Sequence, residues 1–369
     1  MLVGIVGTRG IPNHYGGFEQ CAEYLALGLV KRGFEVIVYN SHNHPYQEKE
    51  WKGVKIVHCY DPENKIGTAG QFIYDFNCIR DIRKRKCDVI LQLGYTSSSI
   101  WGWLLPKKSV VTTNMDGLEW KRTKFSERVK KFLLYAESLG VKYSDYLISD
   151  SLGIQDYLKA KYDADSTFIA YGATLFDQPS TTVLGDYQVL PQSYDMLVAR
   201  LEPENSIEII LDGVVEANLA RTFLVIGKHE TTYGSYLKTK YQNATQIKFI
   251  GGIYDIEKLN NLRYYSNVYF HGHTVGGTNP SLLEAMASNS LICANNNPFN
   301  RYILGEDAIY FNDAKDVAKT LLKVNSSVDS YQDMIQRNRT KITDIYDWEL
   351  IIDQYSTHLN EIKGNFQRL

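Results

Sequence analysis

The sequence predicts an α/β protein made of two doubly wound domains. Three observations carry this reading. Strand-like runs alternate with helical ones, the alternation stops in a proline-bearing stretch and then restarts, and 369 residues exceed one ordinary domain. In the first half "LVGIVG" (2–7), "EVIVYN" (35–40), "VKIVHCY" (54–60), "DVILQLG" (88–94), "SVVTTN" (109–114) and "DYLISDS" (145–151) read as strands, each a short apolar run between polar or glycine-bearing segments. Helices are expected near 17–32, 70–86, 125–143 and 151–161. The second alternation places strands at "DMLVAR" (195–200), "RTFLVIG" (221–227), "QIKFIGG" (246–252), "NVYFHG" (267–272), "LICAN" (291–295) and "AIYF" (308–311). Residues 177–193, with two of the nine prolines and little periodicity, are the expected linker between domains 1–176 and 194–347. The last segment, 348–366, reads as one amphipathic helix expected to pack back on the first domain.

Composition narrows the function classes. With 44% hydrophobic and 22% charged residues and a mean hydropathy of -0.29, the chain reads as soluble and globular. It has no apolar run near the roughly 18 residues a membrane span needs. No basic leader precedes the first strand, so a cytoplasmic location is expected. Five cysteines without a C-x-x-C spacing suggest neither a zinc site nor a disulfide framework. Residues 1–175 hold 23 basic and 19 acidic residues, whereas the rest hold 17 and 23. The excess lies in "RDIRKRK" (80–86) and "KRTKFSERVKK" (121–131), either solvated helix faces or a patch for an anionic membrane surface. Trp101 and Trp103 of "IWGWLLPKK" are expected on one face beside it. A pI of about 6.5 and the lack of a binding motif argue against nucleic acid as a partner.

The opening "LVGIVGTRGIPNHYGGFE" carries Gly4, Gly7 and Gly10 after a strand, yet it is not a dinucleotide fingerprint. Such a fingerprint enters its helix directly and has an acidic residue ending the second strand to hold the ribose diol. Here Pro12 and the Gly16-Gly17 pair intervene, and the second strand ends at Asn40, Ser41 and His42. Nicotinamide and flavin chemistry are therefore not expected. What remains is a backbone-exposing loop before a helix N-terminus, where free N–H groups favour an anion.

The second half is more informative. In "HGHTVGGTNPSLLEAMASNS" (271–290) a strand ends at His271, a loop with Gly276, Gly277 and Thr278 follows, and Asn279 can cap a helix that accepts Pro280 at its first position. Glu284, one turn in, either complements the helix dipole or accepts hydrogen bonds from a ribose diol. Arg200 leaves a strand end just before an expected helix start, either as an ion-pair partner or as a diphosphate clamp. Asp163-Ala164-Asp165, the one D-x-D spelling, falls in a polar connection and is expected to be solvated rather than metal-binding.

The order "VARLEPEN", "FIGGIYD", "HTVGGTNPSLLEAMASNSLICANN" resembles the donor-binding domain of retaining nucleotide-sugar glycosyltransferases of family 4. The opening "GTRGIPNHYGGFE" with "TTNMDGLEWKR" (112–122) is similar to a bacterial branch that includes rhamnosyltransferases of capsule and cell-wall polysaccharide assembly. The resemblance implies a GT-B fold, two Rossmann-like domains facing across a cleft. It implies hexosyl transfer without metal or cofactor, the nucleotide sugar being a substrate. The donor is expected to be dTDP-L-rhamnose. The acceptor is expected to be a saccharide, lipid-diphosphate-linked in the resembling branch, met at the inner face of the plasma membrane. Arg200 is then catalytic, and Lys228, Gly251, Gly252, Gly276, Gly277, Thr278, Asn279 and Glu284 bind the donor. Gly16, Gly17, Asn114 and Glu119 follow first-domain strands on the acceptor side, with Asp116 expected to orient or deprotonate the acceptor hydroxyl. Two positions depart from the family pattern: Gly276 stands where a glutamate is usual and Asn205 where a lysine is usual, so Lys228 would supply the missing charge. A binding module that has lost catalysis, or a nucleotide-sugar epimerase on the same plan, are the alternatives.

Overall fold

Apolar, β-branched runs become parallel strands when helices cover both faces of a sheet. The computed structural model describes residues 1–14, 16–115, 117–324 and 328–366, which group into two units. Unit 1 holds Met1–Trp120, Phe125–Tyr171 and the segment from Trp348 on; unit 2 holds Lys121–Lys124 and Gly172–Asp347.

Unit 1 opens with β1 (Leu2–Val6), α1 (Gly17–Lys31), β2 (Glu35–Ser41), β3 (Glu50–Trp51), β4 (Val54–Cys59), α2 (Glu63–Ile66) and α3 (Gly70–Ile82). It continues through β5 (Val89–Leu93), β6 (Val110–Asn114), α4 (Glu127–Tyr143), β7 (Tyr146–Ser149), α5 (Leu152–Tyr162) and β8 (Thr167–Phe168). Its sheet runs β3-β4-β2-β1-β5-β6-β7-β8, and only the β3–β4 pair is antiparallel. Val3 of β1 lies between Val36 and Val89, and all three are buried.

Unit 2 repeats the plan with β9 (Tyr194–Val198), α6 (Ile207–Ala217), β10 (Thr222–Ile226), α7 (Thr232–Lys240), β11 (Ile247–Gly251), α8 (Ile256–Tyr264), β12 (Tyr269–His271), α9 (Pro280–Ala287), β13 (Ile292–Asn295), α10 (Pro298–Leu304), β14 (Ile309–Phe311), α11 (Ala314–Val324) and α12 (Gln332–Lys341). Its all-parallel sheet runs β11-β10-β9-β12-β13-β14. Phe223, Phe270, Leu197 and Val225 form the centre of its core.

The chain ends in α13 (Trp348–Asn365), which returns to unit 1 and packs on α1. Trp348 stacks on Tyr24 with centroids 4.5 Å apart, and Arg32 pairs with Asp353 at 2.6 Å and Glu349 at 2.9 Å. The closest contact is steric: a Cβ on Gly28 would lie 2.4 Å from Ile352 Cδ1.

Three expectations change. Residues 177–193 are not a free linker, because Leu184 and Val189 are buried, Thr181–Tyr187 forms a 3-10 run, and the Ser180 N–H donates to Asn261 Oδ1 at 2.6 Å. Trp101 and Trp103 do not share a face: Ser99–Leu104 is a 3-10 helix, whose three residues per turn put positions two apart on different sides. The Trp101 Nε1–H donates to Phe72 O at 2.8 Å, whereas Trp103 is 64% exposed. The basic run 121–131 is divided, since Lys121–Lys124 groups with unit 2 and the remainder with unit 1.

Gly28→Val must displace Ile352 from α1 and should destabilise the protein by about 1–3 kcal/mol. Arg32→Ala, whose partners are mostly exposed, should cost at most about 1 kcal/mol. Thermal unfolding of the two variants ranks them; equal effects would show that α13 is held by charge rather than by packing.

Candidate functional site

The strand order of unit 2 reverses between β9 and β12, and parallel sheets bind ligands beyond the carboxyl ends of their strands at such a switch point. Neighbouring strands β11, β10, β9 and β12 deliver the donor-side residues to this edge. Gly251 ends β11 and its carbonyl accepts the Gly227 N–H at 2.9 Å, with exposed Lys228 next in the chain and Gly252 just beyond β11. Arg200 follows β9 and is exposed. His271, Gly272 and His273 end β12 and begin its loop.

The β9 and β12 loops are locked together. A Cβ on Gly272 would stand 2.0 Å from Asn205 O, so no larger residue permits this approach. Asn205, buried, donates from Nδ2 to Arg200 O at 2.7 Å. At this place it orients the Arg200 backbone instead of supplying a charge. The Glu204 carbonyl accepts from both the N–H (3.1 Å) and the hydroxyl (2.8 Å) of Thr274. Glu204 also accepts from the Thr123 hydroxyl at 3.0 Å, which ties the 121–124 segment to unit 2. That segment carries Arg122. Burial, then Arg200, then Arg122 together hold the His273 imidazole down to about 3, so both guanidinium groups bear on the end of β12. Nothing local signals this, because Arg122 sits within a basic run 72 residues before β9.

The loop before α9 follows the expected cap. The Asn279 side chain accepts from Ser281 N at 2.9 Å and Pro280 takes the first helical position. Thr278 is buried, and Gly277 stands beside Gly276 in the loop. Gly276 has φ +128°, a backbone conformation strained for any residue with a Cβ, which accounts for the absence of a glutamate there. Glu284 Oε2 lies 2.7 Å from Arg263 Nη2. Arg263 on α8 is wholly buried, and it donates to Asn260 Oδ1 (2.8 Å) and Ser281 Oγ (3.0 Å) as well. This partner was also missed, because an arginine in a polar helix reads as a solvated residue.

A second missed feature is a column of rings. Tyr269, His271 and His273 alternate onto one face of β12 and its continuation. His271 stacks on His273 with centroids 4.5 Å apart and lies 6.4 Å from Tyr269. His271 is 1% exposed, and neither ring nitrogen has a hydrogen-bond partner. Burial drives its pKa well below the usual histidine value, so the ring is neutral with one donor and one acceptor unmet.

In unit 1, Gly16 caps α1 in an extended conformation and Gly17 begins the helix, its carbonyl taking the Tyr171 hydroxyl. The long opening loop is pinned by Asn40, whose amide accepts from Ile11 N (3.1 Å) and donates to Ile11 O (2.8 Å), where a dinucleotide enzyme would keep its acid. Asn114 ends β6, donates to the Tyr355 hydroxyl at 3.2 Å, and leaves Oδ1 buried without a partner. Glu119 begins a short 3-10 turn, Glu119–Lys121. β5 separates β1 from β6, so Gly16-Gly17 and Asn114 approach from strands two apart. Asp116 lies outside the described residues. Asp163 and Asp165 are 89% and 92% exposed and share Lys159, and among the described residues no cluster could hold a metal ion.

Because His271 and His273 have lowered pKa values, the unfolded chain binds more protons than the folded one as pH falls below 6.5. Stability contributed by each ring is complete above that pH and is lost as pH falls toward the folded value, by about 1.4 kcal/mol per pH unit at full slope. His271→Phe should flatten the loss between pH 6.5 and 5, measured by denaturant unfolding at several pH values; an unchanged slope would contradict a neutral buried ring.

Comparison with known proteins matches residues 194–341 to the family described as glycosyl transferases group 1, and residues 1–174 to one described as a domain of unknown function, DUF1972. No curated protein matches the chain. Among solved structures it is similar to sucrose-phosphate synthase from Thermosynechococcus elongatus, with TM-score 0.80 at 16% identity, covering 99% of this chain and 100% of that one. It is similar to a glycosyltransferase from Rickettsia africae, with TM-score 0.74 at 14% identity, covering 99% of both chains. HepE from Anabaena, solved with UDP-glucose, gives TM-score 0.75 at 15% identity over 98% of this chain and 99% of that one. The chain therefore has the GT-B fold, and the stretch that matches glycosyl transferases group 1 lies in its second unit.

Proposed function

We propose that the protein is a retaining, metal-independent glycosyltransferase that moves a hexosyl group, L-rhamnose from dTDP-L-rhamnose, to a lipid-diphosphate-linked saccharide in cell-surface polysaccharide synthesis. The observation that carries this reading is the placement of Arg200 after β9 and of the loop and capped α9 after β12, side by side at the switch point of the unit 2 sheet. Cleaving the anomeric C–O bond builds negative charge on the leaving diphosphate and positive charge on the ring. Fixed cations and backbone N–H groups placed at the diphosphate stabilise that charge without reorganising. Arg200 is the principal donor, the amides of Gly276, Gly277 and Thr278 take the phosphate oxygens, and Arg122 adds charge where Asn205 has none. Glu284, oriented by Arg263, accepts from the ribose hydroxyls. In the retaining mode the leaving phosphate takes the acceptor proton, so no separate base is required. The complexes of HepE with UDP and UDP-glucose support a nucleotide sugar as ligand for this fold.

A carrier-linked acceptor is supported by the surface of unit 1. Ile73 on α3, Trp103, and Val129, Phe132 and Tyr135 on α4 are all exposed, and Phe72 meets Phe132 edge-on at 5.7 Å. Exposed Arg83, Lys107, Lys108, Arg128 and Lys131 belong to the same elements or their flanks. Aromatic groups with lysine and arginine around them suit the interface of an anionic bilayer. Attachment in this reading is peripheral; no helix among the described residues is long and apolar enough to cross a membrane.

Arg200→Ala should lower turnover on the order of 10² or more, Arg122→Ala should lower it less, and a chelator should leave transfer unchanged. Wild-type rates in folded Arg200→Ala, or loss of activity to chelator restored by a divalent ion, would refute the mechanism. Binding of donor with no transfer or hydrolysis would favour the binding module instead. The protein should also co-sediment with anionic but not neutral vesicles and be released by salt. Equal binding to both would refute the charged interface.

A further inference from the structure

Three cysteines of unit 1 belong to one buried cluster, and two of them meet. Ile37 and Tyr39 on β2 alternate onto one face of the sheet, and Cys59 on β4 joins them with Val57 packed alongside. On α3, Tyr74, Cys78 and Ile82 are four residues apart and form one stripe against that face. The Tyr74 hydroxyl donates to the carbonyls of Thr8 (2.9 Å) and Tyr39 (2.8 Å), which sets the stripe near the carboxyl ends of β1 and β2. Cys78 stands one turn further along α3. Cys59 ends β4, and its carbonyl accepts the His42 N–H at 2.8 Å. The third cysteine, Cys87, precedes β5, and because β4 and β5 run parallel it lies at the opposite edge of the sheet.

The paired thiols are unequal. A hydrogen bond with Cys78 holds the Cys59 thiol below the usual cysteine range although burial opposes it, and Arg85 and Arg80 of the basic run 80–86 act in the same direction. Burial first, then Cys59, pushes the Cys78 thiol well up. Cys78 is 1% exposed, whereas Cys59 is 7% exposed and is followed by Tyr60, which is 49% exposed. Cys59 is therefore the stronger nucleophile and the one nearer to solvent, with a protonated thiol bonded to it. A small core residue would serve for packing alone, but packing does not call for two thiols bonded to each other with opposed acidities. A metal would need further ligands, and among the described residues no group of three histidine, cysteine or acidic side chains could hold one.

We propose that Cys59 and Cys78 form a dithiol that peroxide converts into a disulfide, a reversible modification tying α3 to the end of β4. The Cys59 sulfur attacks one peroxide oxygen, the O–O bond breaks, the thiol proton leaves with the second oxygen as water, and Cys59 becomes a sulfenic acid. The Cys78 sulfur then attacks the Cys59 sulfur, the S–O bond breaks, and the departing hydroxide takes the Cys78 proton as a second water. Two thiols together lose two electrons, and one hydrogen peroxide becomes two waters. The bridge closes the segment 60–77, which carries Glu63, the partner of Arg9. Neither cysteine belongs to the candidate site, so the modification stands whether or not the chain is a transferase.

The test exposes the full, reduced chain to a small excess of hydrogen peroxide, then unfolds it, alkylates it with N-ethylmaleimide and weighs it. The product should carry two fewer alkylated thiols than the five of the reduced chain, its tryptic map should join the Cys59 and Cys78 peptides, and dithiothreitol should restore all five. Cys59 should be consumed at least about tenfold faster than Cys293, whose thiol burial pushes up. Cys78→Ser should leave Cys59 as a sulfenic acid that dimedone labels, and Cys87→Ser should leave the bridge intact. Five alkylated thiols after peroxide, a bridge that takes Cys87 in place of either partner, equal consumption of Cys59 and Cys293, or a bridge that forms only in urea would overturn the proposal. The mapping on the wild type decides the matter even where a variant does not fold.

Discussion

The geometry of the unit 2 switch point depends on one ion pair, Arg263 with Glu284. Arg263 has no exposed surface, so its charge is tolerable only because Glu284 and two neutral acceptors surround the guanidinium. Pairs of this kind add little net stability, since the cost of desolvation offsets the attraction. Their effect is geometric: Arg263 ties α8 to the first turns of α9 through Ser281 and Glu284, and the Tyr269 hydroxyl shares Ser281 at 2.8 Å. The start of α9 is thereby fixed against β12. Its cap at Asn279, the turn at Gly276 and the carboxylate of Glu284 all take their positions from that anchor.

Around the anchor the protein concentrates positive charge while keeping its histidines neutral. Burial depresses both His273 and His271, and Arg200 and then Arg122 depress His273 further. Neutral rings with unmet nitrogens beside two guanidinium groups leave polar capacity that a phosphate or sugar hydroxyl can satisfy.

What the sequence made legible was local. Strand positions followed from short apolar runs, and the cap and proline of α9 were readable because both act within four residues of each other. Asn40 could be read as the lack of a ribose-binding acid, but not as the clamp on Ile11, which joins residues 29 apart. Arg122 looked like part of a basic helix face; a contact of Thr123 with Glu204, 81 residues on, assigns its segment to the other unit. Arg263 and the ring column were invisible for the same reason, since burial of a polar side chain is decided by distant packing rather than by its own neighbours. The tryptophans were expected on one face, as in an extended or turning segment, while the chain there winds with three residues per turn and separates them.

The central claim is that the diphosphate of the donor rests on the loop before α9. Selective labelling of glycine with nitrogen-15 places amide reporters at Gly276 and Gly277 in the loop and at Gly251 and Gly252 across the crevice. Titration with dTDP and with thymidine separates phosphate from nucleoside contacts. The account predicts that dTDP shifts the Gly276 and Gly277 resonances and that thymidine leaves them in place. Unmoved Gly276 and Gly277 resonances at saturating dTDP, or equal shifts with thymidine, would contradict it.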